Sequence, residues 1–468
     1  MESSNMGTLR WFFAAGILGL WLCGQTLAQQ IASPSLQQPS SVQPTGLVSQ
    51  DYLTFAPQPD ASGAPPAPGN QPAVKPEAPG NAEAKEEPKE EEKKEDEEKK
   101  EDEDKGFKLF NGPWLECHRI DIRGWLDQGI TWNPNDPVDR FNGPVGYNDR
   151  ANEYQMNQLY WIIERVTKTD ECNPMDVGGR VDFLYGTDRR YADAIGLDTE
   201  WGNRFYGLAM PQMYADVAIN NLVLRGGHFL APCGYESVMA PENFFYSHSY
   251  SFLYGEPTTL SGGSAIYKFN DQWSANLGLD TGWNDWVDVS HKLNYMGGFN
   301  WTSKDQKQTL AWEMFIGDQL PNVDSNRTHY CLVFTQKLGK KWQYVLENNV
   351  GYEENANVLP NGNRTHGDWV GLSNYLIYTI NDKWSLGFRY EWFDDDDGTV
   401  VAAVGPPPVS AVPSHYNALT WGLNYKPNKN VVLRSEMRYD HSTAPVFENG
   451  TIPTRDQYLW AFDAIVRF

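Results

Sequence analysis

The sequence predicts an all-β protein: an up-and-down antiparallel transmembrane β-barrel of about 16 strands (14–18), preceded by a disordered or charged tether. Three features carry this reading: a period of two between apolar and polar residues over most of the chain after Gly106, alternation of short and long connections, and aromatics near both ends of the apolar faces. The 468 residues hold 61 acids against 38 bases, a net charge of −23, and 13% aromatics, a high load for a mean hydropathy of −0.58. No apolar run approaches the roughly 18 to 20 residues of a spanning helix. That excludes a helical membrane protein and leaves a barrel open, because barrel strands are nearly invisible to hydropathy. The acidic excess argues against nucleic acid as a partner, since each phosphate contact would be made against a repulsive field.

The elements follow in order. Residues 1–28 read as a signal peptide: Arg10 precedes the apolar stretch Trp11 to Leu22, and Thr26-Leu27-Ala28 supplies small residues for cleavage. Lipidation at Cys23 is the alternative, disfavoured by the bulk of Leu22. Residues 29–84, rich in Pro, Ala, Gln and Ser, read as a disordered linker that cannot bury enough apolar surface to offset its ordering entropy. Residues 85–106 form an acidic Glu/Lys/Asp run, either coil or a charged helix stiffened by Glu-to-Lys pairs, and read as a solvated spacer. Export places this tether in the periplasm, and residues 107–468 are the predicted barrel.

The last segment is the clearest strand. Tyr458, Trp460, Phe462, Ala464, Val466 and Phe468 share one face, against Gln457, Asp463 and Arg467 on the other. The same alternation runs through Ile120 to Trp132, Trp273 to Trp283, Leu310 to Ile316, Trp342 to Tyr352, Trp384 to Trp392 and Val431 to Tyr439. Short links near 220–221, 270–272, 302–308, 339–341, 381–383 and 427–430 alternate with long ones at 230–259, 284–292, 317–328, 353–368, 393–415 and 440–456. An outer-membrane barrel has that layout, with tight periplasmic turns and extended external loops. Trp273, Trp342 and Trp384 each follow a polar turn, where a headgroup-level girdle would place them. A soluble propeller or sandwich is the competing fold. It explains the alternation but not aromatics at both ends of the apolar faces, nor an apolar closing strand. Lipid offers backbone groups no partner, so the sheet must close, and a terminal strand ending at Phe468 is what the barrel-insertion machinery reads.

Residues 227–262 carry a resemblance. Gly227-His228-Phe229, Gly234-Tyr235-Glu236, the run Ala240 to Ser249 and Gly255-Glu256-Pro257, with Glu391-Trp392-Phe393 and Asp395 to Gly398 further on, resemble the OmpL-like, porin-2 type β-barrel porin family of planctomycete-like bacteria. The resemblance covers roughly residues 112–468. It implies an outer-membrane barrel that passes small solutes, and supplies no catalytic residues.

On the polar strand faces, Arg123, Arg180, Asp182, Arg225, Asp280, Glu313, Glu347, Arg389, Arg434 and Glu436 are candidate pore-lining charges, which either set solute preference or brace the barrel by pairing. The 230–259 connection either folds inward, with Glu236 and Glu242 near a constriction, or caps the outside. The acids Asp394 to Asp397 lack the register of an EF-hand-like loop and read as a solvated loop tip. Ser247 and His248 would point to opposite faces of a strand, which disfavours a hydrolase. No enzyme, cofactor or metal is expected. In an oxidising envelope, barrel topology ranks Cys117 with Cys172 and Cys233 with Cys331 as disulfides.

The function expected is an outer-membrane porin for passive diffusion of small solutes and ions, at a size where homo-trimers are common. The alternatives are a non-conducting barrel acting as adhesin or envelope scaffold, and a soluble secreted β-protein that binds glycans.

Overall fold

The computed structural model describes residues 107–170, 172–401 and 412–468. The expected signal peptide, linker and acidic run fall in residues 1–106, outside the described residues. A one-turn helix, α1 (Pro113–His118), leads into β1 (Asp121–Trp132), β2 (Tyr154–Arg165), β3 (Met175–Gly186), β4 (Gly202–Asn203), β5 (Tyr206–Ala209), β6 (Met213–Ile219) and β7 (Leu222–Leu230). Then come β8 (Thr259–Lys268), β9 (Trp273–Asp280), β10 (Asn294–Thr302), β11 (Gln308–Asp318), β12 (Asn326–Leu338), β13 (Trp342–Val358) and β14 (Arg364–Asn381). The chain ends with β15 (Trp384–Asp395), β16 (Ser414–Asn428), β17 (Val431–Ser442), β18 (Phe447–Asn449), β19 (Ile452–Thr454) and β20 (Asp456–Arg467).

Sixteen of these strands make the wall. The short pair β4–β5 extends the sheet beside the upper end of β3, and β18–β19 is a separate hairpin in the last long connection. Wall neighbours are antiparallel, and β20 pairs back onto β1 from Trp125↔Arg467 to Trp132↔Trp460, so the sheet closes and no wall edge is left bare.

The period of two decides which face each side chain takes. Along β20, Tyr458, Trp460 and Phe462 are exposed outward while Leu459, Ala461, Asp463 and Ile465 are buried inward. Exposed aromatics gather at both ends of the outer face. At the short-turn end Trp342 meets Tyr378 and Trp384 meets Tyr425 at 4.5 and 4.4 Å, and at the long-loop end Tyr439 meets Tyr458 at 4.8 Å.

Two expectations are corrected. The anticipated 353–368 loop is mostly strand, because β13 and β14 continue their ladder past a bulge to Val358↔Arg364. That stretch is polar on both faces, which hides a period of two. Cys117 and Cys172 are free and exposed instead of bridged. Cys117 rides on α1, whereas Cys172 sits in a turn closed by Asp170, whose Oδ1 accepts from Cys172 N at 2.9 Å. Arg119 and Arg165 both bind Asp176, so ion pairs tie these two segments together. Cys233 and Cys331 do form a disulfide, with Cα atoms 6.2 Å apart. Within residues 107–468, maleimide added without reductant should therefore label Cys117 and Cys172 alone. Labelling of Cys331 in the unfolded, unreduced chain would disprove the bridge.

Candidate functional site

The connection from Ala231 to Thr258 turns into the barrel and lies along its inner wall. It has little regular structure, so many of its backbone polar groups need partners outside a helix or sheet ladder. Inward charges of β15 and β17 supply them. Arg434 Nη1 donates to the carbonyls of Ala240, Asn243 and Phe245 at 3.1, 2.9 and 2.9 Å, while Nε and Nη2 hold Asp463 on β20. Two residues on, Glu436 accepts the N–H groups of Tyr246 and Ser247 at 2.9 and 3.1 Å. Two further on, Arg438 donates to the His248 carbonyl at 2.5 Å and binds Asp440. Three consecutive inward positions of one strand thus grip the same stretch of segment.

β15 repeats the device. Arg389 Nη1 donates to Glu236 Oε1 at 2.5 Å and to the Ser247 carbonyl at 2.8 Å, and Glu391 accepts from Ser251 N at 2.7 Å. Glu236 closes the set by accepting from Ser249 N at 2.8 Å and from the Tyr375 hydroxyl at 3.1 Å. Gly387 and Gly422, paired across β15 and β16, let the rings of Phe244 and Phe245 lie against the wall, space that a Cβ on either would occupy.

The two ends of the segment are fixed differently. The Cys233–Cys331 disulfide bonds its start to the inward face of β12. Gly234, at φ +82, brings its backbone against the Glu256 carboxyl, and Cys233 Sγ lies 3.3 Å from Glu256 Oε2. Glu256 is fully buried, and burial followed by the nearby Glu347 pushes its carboxyl well above the usual 4.5. For Glu236 burial acts upward too, but Arg389 and then His248 hold it below its usual value. Burial lowers His248 to about 4; its ring stacks on Tyr147 at 3.9 Å. Ser247 and His248 lie in this segment and not on a strand. Ser247 Oγ accepts from Arg389 and His248 Nε2 faces the Ser237 carbonyl, so the two have separate partners.

A family profile described as "Putative beta-barrel porin-2, OmpL-like" matches residues 119–468. The chain belongs to this porin family. None of the curated proteins matches it significantly. Among solved structures, the anion-selective porin from Comamonas acidovorans is 9% identical, with 75% of this chain and 99% of that chain covered and a TM-score of 0.49. Pseudomonas putida OprB is 11% identical over 76% and 96%, TM-score 0.49, and in-vitro folded OmpT of Vibrio cholerae is 9% identical over 75% and 97%, TM-score 0.48. Likeness at this level says nothing of what this chain passes.

In this porin most of the remaining inward charges sit on β1–β7, which follow β17 and β20 around the closed wall, and the segment reaches this arc too, with Val238 and Ala240 on Gln158 of β2. Arg123 pairs with Glu164 at 2.6 Å, Arg180 with Asp182 at 2.7 Å, and Arg225 with Asp216 at 2.9 Å. Arg123 keeps the most contact with water, its side chain 37% exposed, against 11% for Arg180, 13% for Arg225 and 0% for Arg389. Arg225 lies 3.7 Å over the Tyr214 ring. Glu242, in the segment, faces Arg180 and Arg123, and burial raises its carboxyl. Glu313 accepts from Asn276 across β9 and β11, and Asp280 accepts from Gly282 N at 2.9 Å at the long-loop end of β9. Glu347 is buried beside Asn349 and Tyr375, at the foot of the Glu236 cluster.

The twelve charges named from the sequence therefore fall into groups. Glu236, Arg389, Arg434 and Glu436 bind within or to the segment, with Glu347 beside them. Arg123, Arg180, Asp182 and Arg225 gather on β1–β7, where Glu242 of the segment faces Arg180 and Arg123, and Asp280 and Glu313 stand between. Glu256, Tyr375, Glu391, Arg438 and Asp440 were missed as site residues. The period of two already placed Glu391 and Arg438 on the right face, but nothing local marked Glu256. The acids Asp394 to Asp397 mostly close a rim loop, since Asp395 accepts the N–H groups of Thr399, Val400 and Val401.

Proposed function

We propose that this outer-membrane porin passes small hydrophilic solutes and ions by passive diffusion along the arc of β1–β3 and β6–β11, in a lumen narrowed by segment 231–258, which also reaches Gln158 of β2 and Arg180 of β3. The observation that carries this reading is the split in the inner wall. Charges on β15 and β17 are consumed by the segment, whereas Arg123, Arg180 and Arg225 pair with the wall carboxylates Glu164, Asp182 and Asp216, all largely buried except Arg123. Each of these guanidiniums has a carboxylate partner, so the field along the arc is weak and discrimination by sign is small. Family membership and barrel architecture point to a non-enzymatic channel. The same reading places residues 29–106 in the periplasm, assigns the strand ending at Phe468 to recognition by the insertion machinery, and groups three copies in lipid.

Planar-bilayer recording of the full chain tests it. Small discrete conductance steps with a reversal potential near zero in a salt gradient are expected, and Glu164→Gln should shift that potential toward anion preference. Packing of the lumen by the segment favours one competitor, a plugged scaffold barrel. Silence both from the natural chain and from variants with a loosened segment would establish the scaffold instead.

A further inference from the structure

Residues 107–118 take no part in the barrel wall, yet Phe107 lies on its short-turn rim and Phe110 against its outside. Phe107 N donates to Asn430 Oδ1 and Asn430 Nδ2 donates to the Phe107 carbonyl, both at 2.8 Å, at the short turn between β16 and β17. Three residues later the Phe110 ring meets Trp161 edge-on at 5.7 Å, and Trp161 in turn packs on Phe468 at 4.7 Å. Trp161 points outward from β2, since its neighbours Tyr160 and Ile162 are buried inside. The segment therefore crosses the outer side of the β17–β20–β1–β2 arc at the short-turn end. Lys108 is held by Asp121, and α1 follows.

Its large apolar side chains are left uncovered. Phe107 is 64% exposed, Leu109 50%, Phe110 42% and Trp114 63%. Contiguous exposed apolar groups mark an interaction surface. The surface they continue is the lipid-facing band of the barrel, which they join through Trp161 and Phe468, at the level where Trp and Phe favour the membrane interface.

We propose that residues 107–118 form an interfacial collar whose occupant is the phospholipid of the periplasmic leaflet, resting on the outer-membrane placement of the barrel. The aromatic and leucine side chains enter the headgroup boundary. The acidic run that precedes them stays in water, so the collar fixes where the tether leaves the membrane. It also covers the seam where β20 closes on β1.

The natural thiol of Cys117, exposed on α1 three residues from Trp114, provides the probe. The full chain with Cys23→Ser and Cys172→Ser is labelled at Cys117 with an environment-sensitive fluorophore and inserted into phosphatidylethanolamine and phosphatidylglycerol vesicles. Heat-modifiable migration first establishes that the barrel is folded and inserted, which separates failure of the membrane placement from failure of the collar. Expected are blue-shifted emission and quenching by headgroup-region nitroxide lipid several-fold stronger than by soluble iodide. Joint replacement Phe107→Ser, Leu109→Ser, Phe110→Ser and Trp114→Ser should move the label to water while the barrel still migrates as folded. Water-like, iodide-quenched emission from the inserted natural collar overturns the proposal. So does blue emission that nitroxide lipid leaves unquenched, which would assign the surface to a second copy or another protein.

Discussion

Arg389→Met is expected to release segment 231–258 from the wall and raise single-channel conductance several-fold. Arg389 of β15 is fully buried and joins the segment, through Glu236 and Ser247, to Thr420 on β16. Methionine fills similar volume and removes the charge, leaving Glu236 buried without its cation. Stripping one partner from a buried pair costs about 3–5 kcal/mol. The segment can avoid that cost by leaving the wall, since unseating returns Glu236 to water. With about 1.4 kcal/mol per tenfold, the seated population should fall by roughly 10²-fold or more relative to the unseated one. The disulfide at Cys233 limits the excursion, so residues 236–251 should move while 231–233 stay against β12. Faster amide exchange confined to 236–251, with barrel strands still protected, is the matching structural readout. Arg389→Lys, which keeps the charge but loses the second donor, should lie between. Unchanged exchange and unchanged conductance in Arg389→Met would show that the segment does not depend on this pair.

Much of the barrel was legible because a closed sheet between lipid and a polar lumen imposes the same rule on every residue of every wall strand. β20 shows this: a single strand displays its outward aromatics, its inward Asp463 and its closing position. Turn positions were legible for the same reason, since Asn270, Asn381 and Asn428 punctuate it with side chains that cap tight turns. Where both faces are polar the rule is silent, and the outer ends of β13 and β14 were lost to a loop. The site was legible only by halves. Periodicity told that Arg389, Arg434 and Glu436 face inward, but not whether they meet water or chain. That depends on where 231–258 lies, and a long aromatic segment carries no local signal for inside or outside. Glu256 shows the limit most clearly: its burial arises from Gly234, Cys233 and Glu347, brought to it only by the tertiary fold.

Raising pH should unseat the same segment, and Glu256→Gln should abolish that response. Glu256 is surrounded by Gly234 and the disulfide from its own segment, Glu347 and Asn349 from β13, and Glu236, whose cation is Arg389; Glu391 of β15 stands on the far side of Glu347. No guanidinium is among the groups that lower its carboxyl. Because seating raises Glu256 above its usual 4.5, the seated state gains fully from this group below that value. The gain is lost as pH rises through the raised value, where the seated carboxyl must ionise beside Glu347. His248 and Glu236 act in the other direction. Seating lowers His248 to about 4, so between pH 6.5 and 4 the unseated ring binds the proton more readily and seating weakens as pH falls. Glu236, held below its usual value, loses its contribution on acidification too. Rising pH therefore weakens seating through Glu256, the alkaline limb, and falling pH weakens it through His248 and Glu236, the acid limb. Amide exchange of residues 236–251, corrected for its intrinsic pH dependence, should follow that shape, with conductance rising on both limbs. Glu256→Gln, neutral at every pH, should flatten the alkaline limb and leave the acid one intact. An alkaline limb that survives the substitution would assign it to Glu347, Glu391 or the wall, and not to Glu256.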